Sequence, residues 1–313
     1  MEKIILNPGK ALGDTLCAIA VAKGIKKKVS IASKQIFHPL FQGTGITPEL
    51  NSNKEGVIIS YWGCISKLNK LPEGKSGHIV DWMNFYLEGQ HGIKSSSTKG
   101  DVKIKLTEEE LLAGEQFCKK ISNGKPVVAI APSATTKNRT LPKQILKKIL
   151  FGISHFSTPL VLGPPEMFGA ESLPKEIYED LRKIAATIAA TDAMITIDSG
   201  LAHLAAAAYQ GNKTNLAPEK VIIILGSSNP PVICYNGNHV IQNKRPCSLP
   251  FPCGAHGYST KEQAELKYHK NFYKARDCSC CISLNYPELK ASPCMENTDT
   301  KKVIETTRIV LEK

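Results

Sequence analysis

Short apolar runs alternate with longer segments of helical spacing along most of this 313-residue chain, and that alternation leaves few folds open. KIILNP reads as a short buried strand. GDTLCAIAVAKGIKK follows it with apolar residues at helical spacing and Asp14 near its start. VSIAS (Val29 to Ser33) and VIIS (Val57 to Ser60) are further strands, and HIVDWMNFYLEG is helical. TEEELLAGEQFCKKI is a helix opened by a capping box, Thr107 with Glu110. NGKP then turns the chain, and the pattern begins again. VVAIAPS, TPLVLG, AMITID and VIIILG are strands. LPKQILKKILFGI, a stretch from Lys175 to Ala190, and GLAHLAAAAYQ are the helices between them. TKKVIETTRIVLEK closes the chain as an amphipathic helix. Strands joined by helices form parallel sheets. The expectation is two Rossmann-like, doubly wound α/β domains, 1–122 and 123–297, with a closing helix over 298–313. Such domains face each other across a cleft, and ligands sit beyond the carboxyl ends of the strands.

No apolar run reaches the length of about 18 residues that a membrane span needs. MEKIILNPGKALGD lacks the apolar core and cleavage site of a signal peptide. The cytoplasm is the expected location. Lys and Arg number 40 against 28 Asp and Glu, a net charge of +12. Basic residues gather in KGIKKK (Lys23 to Lys28) and KNRTLPKQILKK (Lys137 to Lys148). Such charge suits anionic partners: nucleotides, phosphorylated lipids, an anionic membrane face or nucleic acid. A solvated basic surface is the plainer account. Aromatic residues are 6% of the chain and do not interleave with the basic ones, which speaks against a nucleic-acid stacking surface.

Four strand ends carry polar chemistry. In ITIDSGLAHLAAAA, Asp198-Ser199-Gly200 turn from a strand into a helix. The free N–H groups and dipole there can bind an anion, Gly200 lets a phosphate approach, and Asp198 can accept from sugar hydroxyls. Plain capping by Asp and Ser explains the same residues. GKALGDTL (Gly9 to Leu16) repeats the logic in the first domain. Asp14 there is either a general base or a carboxylate stabilised by the helix dipole. In APSATTKNRTLP, Ser133, Thr135 and Thr136 can donate hydrogen bonds, and Lys137 and Arg139 can neutralise a diphosphate. A basic surface loop is the alternative. Glu166, beyond the strand of LGPPE, can bond a ribose or be an ordinary loop carboxylate.

Together these pieces resemble one family, and in the same order along the chain. IDSGLAHLAAAA is similar to the donor-phosphate motif of the ADP-heptose:lipopolysaccharide heptosyltransferases, glycosyltransferase family 9. ALGDTLCAIAVAKGIKK resembles that family's Gly-Asp segment, IAPSATTKNRTLP its basic loop, VLGPPE its strand-end Gly and Glu, and PCM (Pro293 to Met295) its closing segment. Leu141 stands where the family has an aromatic residue, and Ala131-Pro132-Ser133 replaces His-Pro-Gly. The resemblance implies a GT-B fold and an inverting transferase using a nucleotide-diphosphate sugar, an ADP-sugar first. The acceptor it implies is an anionic glycan, a lipid-linked molecule or a protein. It also implies peripheral contact with the inner membrane face. Asp14 would be the catalytic base and Arg139 would stabilise the leaving group. Ser133, Thr135, Lys137, Glu166, Asp198, Ser199 and Gly200 would hold the donor, with His203 in a supporting position one turn into the helix. No Asp-x-Asp motif appears, so catalysis is expected to need no cofactor.

Of ten cysteines, six lie between Cys247 and Cys294. Without a signal peptide a disulfide framework is not expected. Thiolates of Cys247, Cys253, Cys278, Cys281 and Cys294 can hold a structural zinc or iron, as some relatives hold iron, or remain free and reduced. Three other functions stand beside transfer. They are a basic, cysteine-clustered nucleic-acid- or metal-binding protein, a sugar-nucleotide epimerase, and a sugar-nucleotide-binding protein without turnover. Epimerisation would call for a second carboxylate pair in the cleft.

Overall fold

Two parallel sheets form from these segments. The computed structural model of the protein describes residues 4–50, 56–61, 63–64, 77–135, 139–164, 172–226, 228, 230–244 and 293–313. In the first sheet, β1 (Ile4–Asn7) leads through α1 (Leu12–Lys23) to β2 (Val29–Ser33) and β3 (Thr47–Leu50). The chain then returns to set β4 (Val57–Ile58) on the other side of β1, giving the order β3-β2-β1-β4. The strand order therefore reverses at the end of β1, where open parallel sheets place their ligands. β4 is shorter than VIIS implies. β3, with the sequence TPEL, carries no strand signal at all; its proline is tolerated because β3 lies at the sheet edge.

After α2 (Ile79–His91) comes α3 (Glu108–Ile121), opened by the expected capping box. Thr107 Oγ1 accepts from the Glu110 N–H at 3.2 Å, and Glu110 Oε2 accepts from the Thr107 N–H at 2.7 Å. The second sheet follows: β5 (Val127–Ala131), α4 (Lys143–Ser154), β6 (Thr158–Val161), α5 (Lys175–Tyr178), α6 (Leu181–Ala190), β7 (Ala193–Ile197), α7 (Gly200–Gly211), β8 (Val221–Leu225), α8 (Pro230–Ile233) and β9 (His239–Gln242). Its order is β6-β5-β7-β8-β9, all parallel, with the reversal between β5 and β7. α9 (Pro293–Glu296) and α10 (Thr300–Leu311) complete the described chain. The continuous helix expected over Lys175 to Ala190 is two helices. Asp180 interrupts it by capping α6, its Oδ1 accepting from the Arg182 and Lys183 N–H groups at 2.9 and 3.3 Å.

Strand alternation divides the second sheet between two cores. Val127, Ala129 and Ala131 of β5 face one side, with Met194 and Ile223. Val128 and Ile130 face the other, against Leu146 and Ile149 of α4 and Val303 and Val310 of α10. Leu141, the residue in place of an aromatic, fills this second core.

The alanine run has a simple physical reason. α7 packs against α6 and β7 of its own unit and against α1 of the first. Ala205 to Ala208 are all fully buried, as a helix enclosed on every side requires. The connecting segment grips the far end of α7. The Ile104 N–H donates to the Ala207 carbonyl at 3.0 Å, and the Asn212 side chain bonds both Ile104 and Leu106.

An ion pair between a buried arginine and a half-buried glutamate completes the joint. α3 packs on α6, and Arg182 of α6 holds both carboxylate oxygens of Glu110, at 2.5 and 2.6 Å. Its remaining donors reach the carbonyls of Lys105 and Pro39, so one guanidinium ties the second sheet to the connector and to the first unit. Arg182→Ala is expected to lower the unfolding free energy by about 2 kcal/mol in chemical denaturation, because it removes the charge-assisted hydrogen bonds to Glu110 and the donors to the Lys105 and Pro39 carbonyls. Arg182→Lys should recover little of this, since an ammonium cannot reproduce the fork.

Candidate active site

The first turns of α1 and α7 meet at the floor of a cleft of about 580 Å³. Two glycines permit the approach. A Cβ on Gly13 would lie 2.6 Å from His203 Cδ2, and one on Gly200 would lie 2.8 Å from Leu12 Cβ. Two sets of free helix N–H groups, and two positive dipole ends, therefore open onto the same space.

At the start of α7 the side chains are not capping the helix. Ser199 occupies the N-cap position with extended backbone, yet its hydroxyl makes no capping bond. That hydroxyl is buried and has no hydrogen-bond partner among the described residues. Asp198 turns away from the helix as well. Its Oδ1 accepts from Arg139 Nη1 at 3.1 Å, and its Oδ2 accepts a short bond from the Ser228 hydroxyl. Arg139 also donates to Thr135 Oγ1 at 3.1 Å. The guanidinium is thus fixed over the switch point of the second sheet. An unsatisfied buried hydroxyl beside open helix N–H groups and a fixed cation is an arrangement that accepts an oxyanion.

Asp14 faces this site from α1. Its carboxylate accepts from the Tyr61 N–H, and Arg139 and the helix dipole favour its charge. Burial outweighs them, with a small contribution from Asp198, and raises Asp14 to about 7. A carboxyl poised at that value can take a proton near neutral pH. His203 lies behind both groups, 3% exposed, and burial pushes it down to about 4, so its ring is neutral.

Asp14, Arg139, Ser133, Thr135, Asp198, Ser199, Gly200 and His203 all line the one cleft. Lys137 and Glu166 lie outside the described residues, as do Cys247, Cys253, Cys278 and Cys281. Cys294 is buried, packed against Gly226. Among the described residues no group of three or more His, Cys, Asp or Glu side chains is placed to hold a metal ion. Lys10, Lys34, Phe37 and Tyr61 also line the cleft and were not singled out in the sequence. Each sits at or just beyond the end of β1, β2 or β4, so the strand-end rule applied to every strand would have found them.

Two parallel α/β sheets facing a cleft at their switch points define the GT-B class of fold. Solved glycosyltransferases share it along the whole chain. ADP-heptose LPS heptosyltransferase II of E. coli superposes with a TM-score of 0.59 at 13% identity, covering 99% of each chain. A glycosyl transferase family 9 structure from Veillonella parvula gives 0.61 at 13% identity, covering 100% of this chain and 99% of that one. The iron-containing dodecameric glycosyltransferase TibC of enterotoxigenic E. coli gives 0.60 at 15% identity, covering 99% of this chain and 76% of its own. No protein-family model and no curated protein matches the sequence.

The raised Asp14 value has a consequence for stability. In the unfolded chain the carboxyl ionises near 3.8, while in the folded chain it holds its proton to about 7. Folding therefore loses stability as pH rises between those values, and the loss is complete above the upper one. Asp14→Asn should melt higher than wild type at pH 8, with the difference vanishing below pH about 4. Equal melting temperatures across that range would contradict the placement of Asp14.

Proposed function

We propose that the protein is a glycosyltransferase that moves a sugar from a nucleotide-diphosphate donor, an ADP-sugar first, to an acceptor hydroxyl with inversion at the anomeric carbon. The observation that carries this is the uncapped start of α7. Ser199 and the adjoining N–H groups are held unsatisfied at the floor of a cleft that also contains Arg139 and Asp14. The diphosphate sits on Ser199, Gly200 and the α7 dipole. Arg139 stabilises charge as it develops on the leaving diphosphate. Asp198 holds Arg139 in place and offers its remaining lone pairs to hydroxyls of the donor sugar. Asp14, as carboxylate, takes the acceptor hydroxyl proton while that oxygen attacks the anomeric carbon from the face opposite the diphosphate. Ser133, Thr135, Lys137 and Glu166 complete the donor site, with His203 behind it.

The acceptor enters past Lys10, Lys34 and Phe37 of the first sheet. These two lysines suit an anionic glycan or lipid-linked acceptor, or an acidic protein segment. No helix among the described residues is long and apolar enough to cross a membrane, so a lipid-linked acceptor would be met at a membrane face. Epimerisation on the same fold is less well supported. Asp14 and Asp198 do share the cleft, but Asp198 is held by Arg139 and Ser228 and is poorly placed to shuttle protons.

Asp14→Ala should reduce transfer by about a hundredfold or more while leaving ADP affinity within about twofold. In wild type, kcat/KM should rise with pH through about 7 and then level, because the base works deprotonated. Parallel loss of binding and turnover in Asp14→Ala would assign Asp14 to donor binding instead. Arg139→Ala should weaken ADP by about tenfold in calorimetry, the scale of one lost charge-assisted hydrogen bond.

A further inference from the structure

Behind the cleft, His203 belongs to a buried polar cluster that the transfer chemistry does not use. Its Nδ1 lies 2.8 Å from the Tyr235 hydroxyl, and the Cys17 thiol of α1 lies 3.8 Å from the same nitrogen. Tyr235 is 5% exposed and its position is set locally, its own N–H donating to Asn238 Oδ1 at 2.8 Å. The His78 ring closes the cluster edge-on, its centroid 4.8 Å from that of Tyr235. His78 Nδ1 is already occupied, accepting from the Val80 N–H.

Proton placement follows from donor and acceptor strength. Among the described residues the Tyr235 hydroxyl has two hydrogen-bond partners, imidazole Nδ1 and the Cys17 thiol. An imidazole nitrogen is a strong acceptor, whereas a thiol is weak both as acceptor and as donor. The better set of bonds has Tyr235 donating to Nδ1 and Cys17 donating to the phenolic oxygen. The reverse set would have Nδ1–H donate to the phenolic oxygen and the hydroxyl donate to sulfur, a poor acceptor. With Nδ1 accepting, the proton of the neutral ring resides on Nε2. That edge of the ring faces Gly13, where a side chain would crowd it: a Cβ would lie 3.3 Å from Nε2. His203 also lines the cleft between the two helix starts.

We infer that Tyr235 is a positioning residue. It fixes His203 as the Nε2–H tautomer, so that a neutral imidazole N–H joins Ser199 in donating to an oxyanion bound at the start of α7. The tautomer rests on the contacts of Nδ1 in a buried, neutral ring; the identity of the oxyanion as a donor diphosphate rests on the function proposed above. A neutral donor is useful at this place. It adds a hydrogen bond to the anion without adding a charge beside Asp14.

The test reads the tautomer directly. Two-bond ¹⁵N couplings in histidine-labelled protein report which nitrogen carries the proton, with the His203 signals assigned by their loss in His203→Asn. Wild type should show Nε2–H, and Tyr235→Phe should shift the population toward Nδ1–H. Cys17→Ala, which keeps the Tyr235 bond, should leave it unchanged. Titration with ADP should perturb His203 Nε2–H in wild type, and affinity should fall about fivefold to tenfold in Tyr235→Phe. Nδ1–H in wild type overturns the inference even if Tyr235→Phe does not fold, and so does an unchanged tautomer in a folded Tyr235→Phe. Nε2–H in a wild-type protein that ignores ADP would leave the tautomer standing and remove the nucleotide reading.

Discussion

The packing of α1 against α7 is the contact on which the site depends. Each helix belongs to a different sheet and begins at that sheet's switch point. Their first turns meet only because Gly13 and Gly200 present no side chains there. The alanines of α7 continue the close approach, and the Arg182 cluster and the Ile104–Asn212 bonds lock it further out. The Asp14 carboxyl on one unit and the uncapped start of α7 on the other are thereby brought into one cleft. Helix ends define the site, so its geometry is stiffer than one built on loops.

Two aspartates in that cleft illustrate how environment assigns roles. Asp198 has Arg139 and Ser228 on its two oxygens and acts as an anchor for the guanidinium. Asp14 receives one backbone N–H, is enclosed, and is raised to about 7. The same side chain is thus a fixed counter-ion in one position and, in the function proposed above, a proton acceptor in the other. Stability is given up at Asp14, where a neutral residue would be tolerated better at alkaline pH.

The architecture was largely legible in the sequence because the buried strands are runs of Val and Ile such as VIIIL, and because Thr107 and Glu110 announce α3. β3 was not, since TPEL survives as a strand only by pairing with β2 at an edge. The break at Asp180 was missed because Lys175 to Ala190 keeps helical spacing through it. Asp198 and Ser199 were visible as a pair, but the sequence cannot separate a cap from an anion site: both use the same residues. Where the side chains point shows that neither caps α7, and that depends on Arg139 and Ser228, distant in sequence. Tyr235 left no trace because only tertiary packing brings it to the site. The roles suggested for Lys137, Glu166 and the cysteines from Cys247 to Cys281 fall outside the described residues.

A crystal structure of the protein soaked or co-crystallised with an ADP-sugar tests the central claim most directly. The diphosphate should lie within hydrogen-bonding distance of Ser199 Oγ and the Gly200 N–H, with Arg139 against its oxygens and Asp14 facing the anomeric carbon. A nucleotide bound elsewhere, or a cleft left open at millimolar ligand with Ser199 newly satisfied by a protein group, would contradict it.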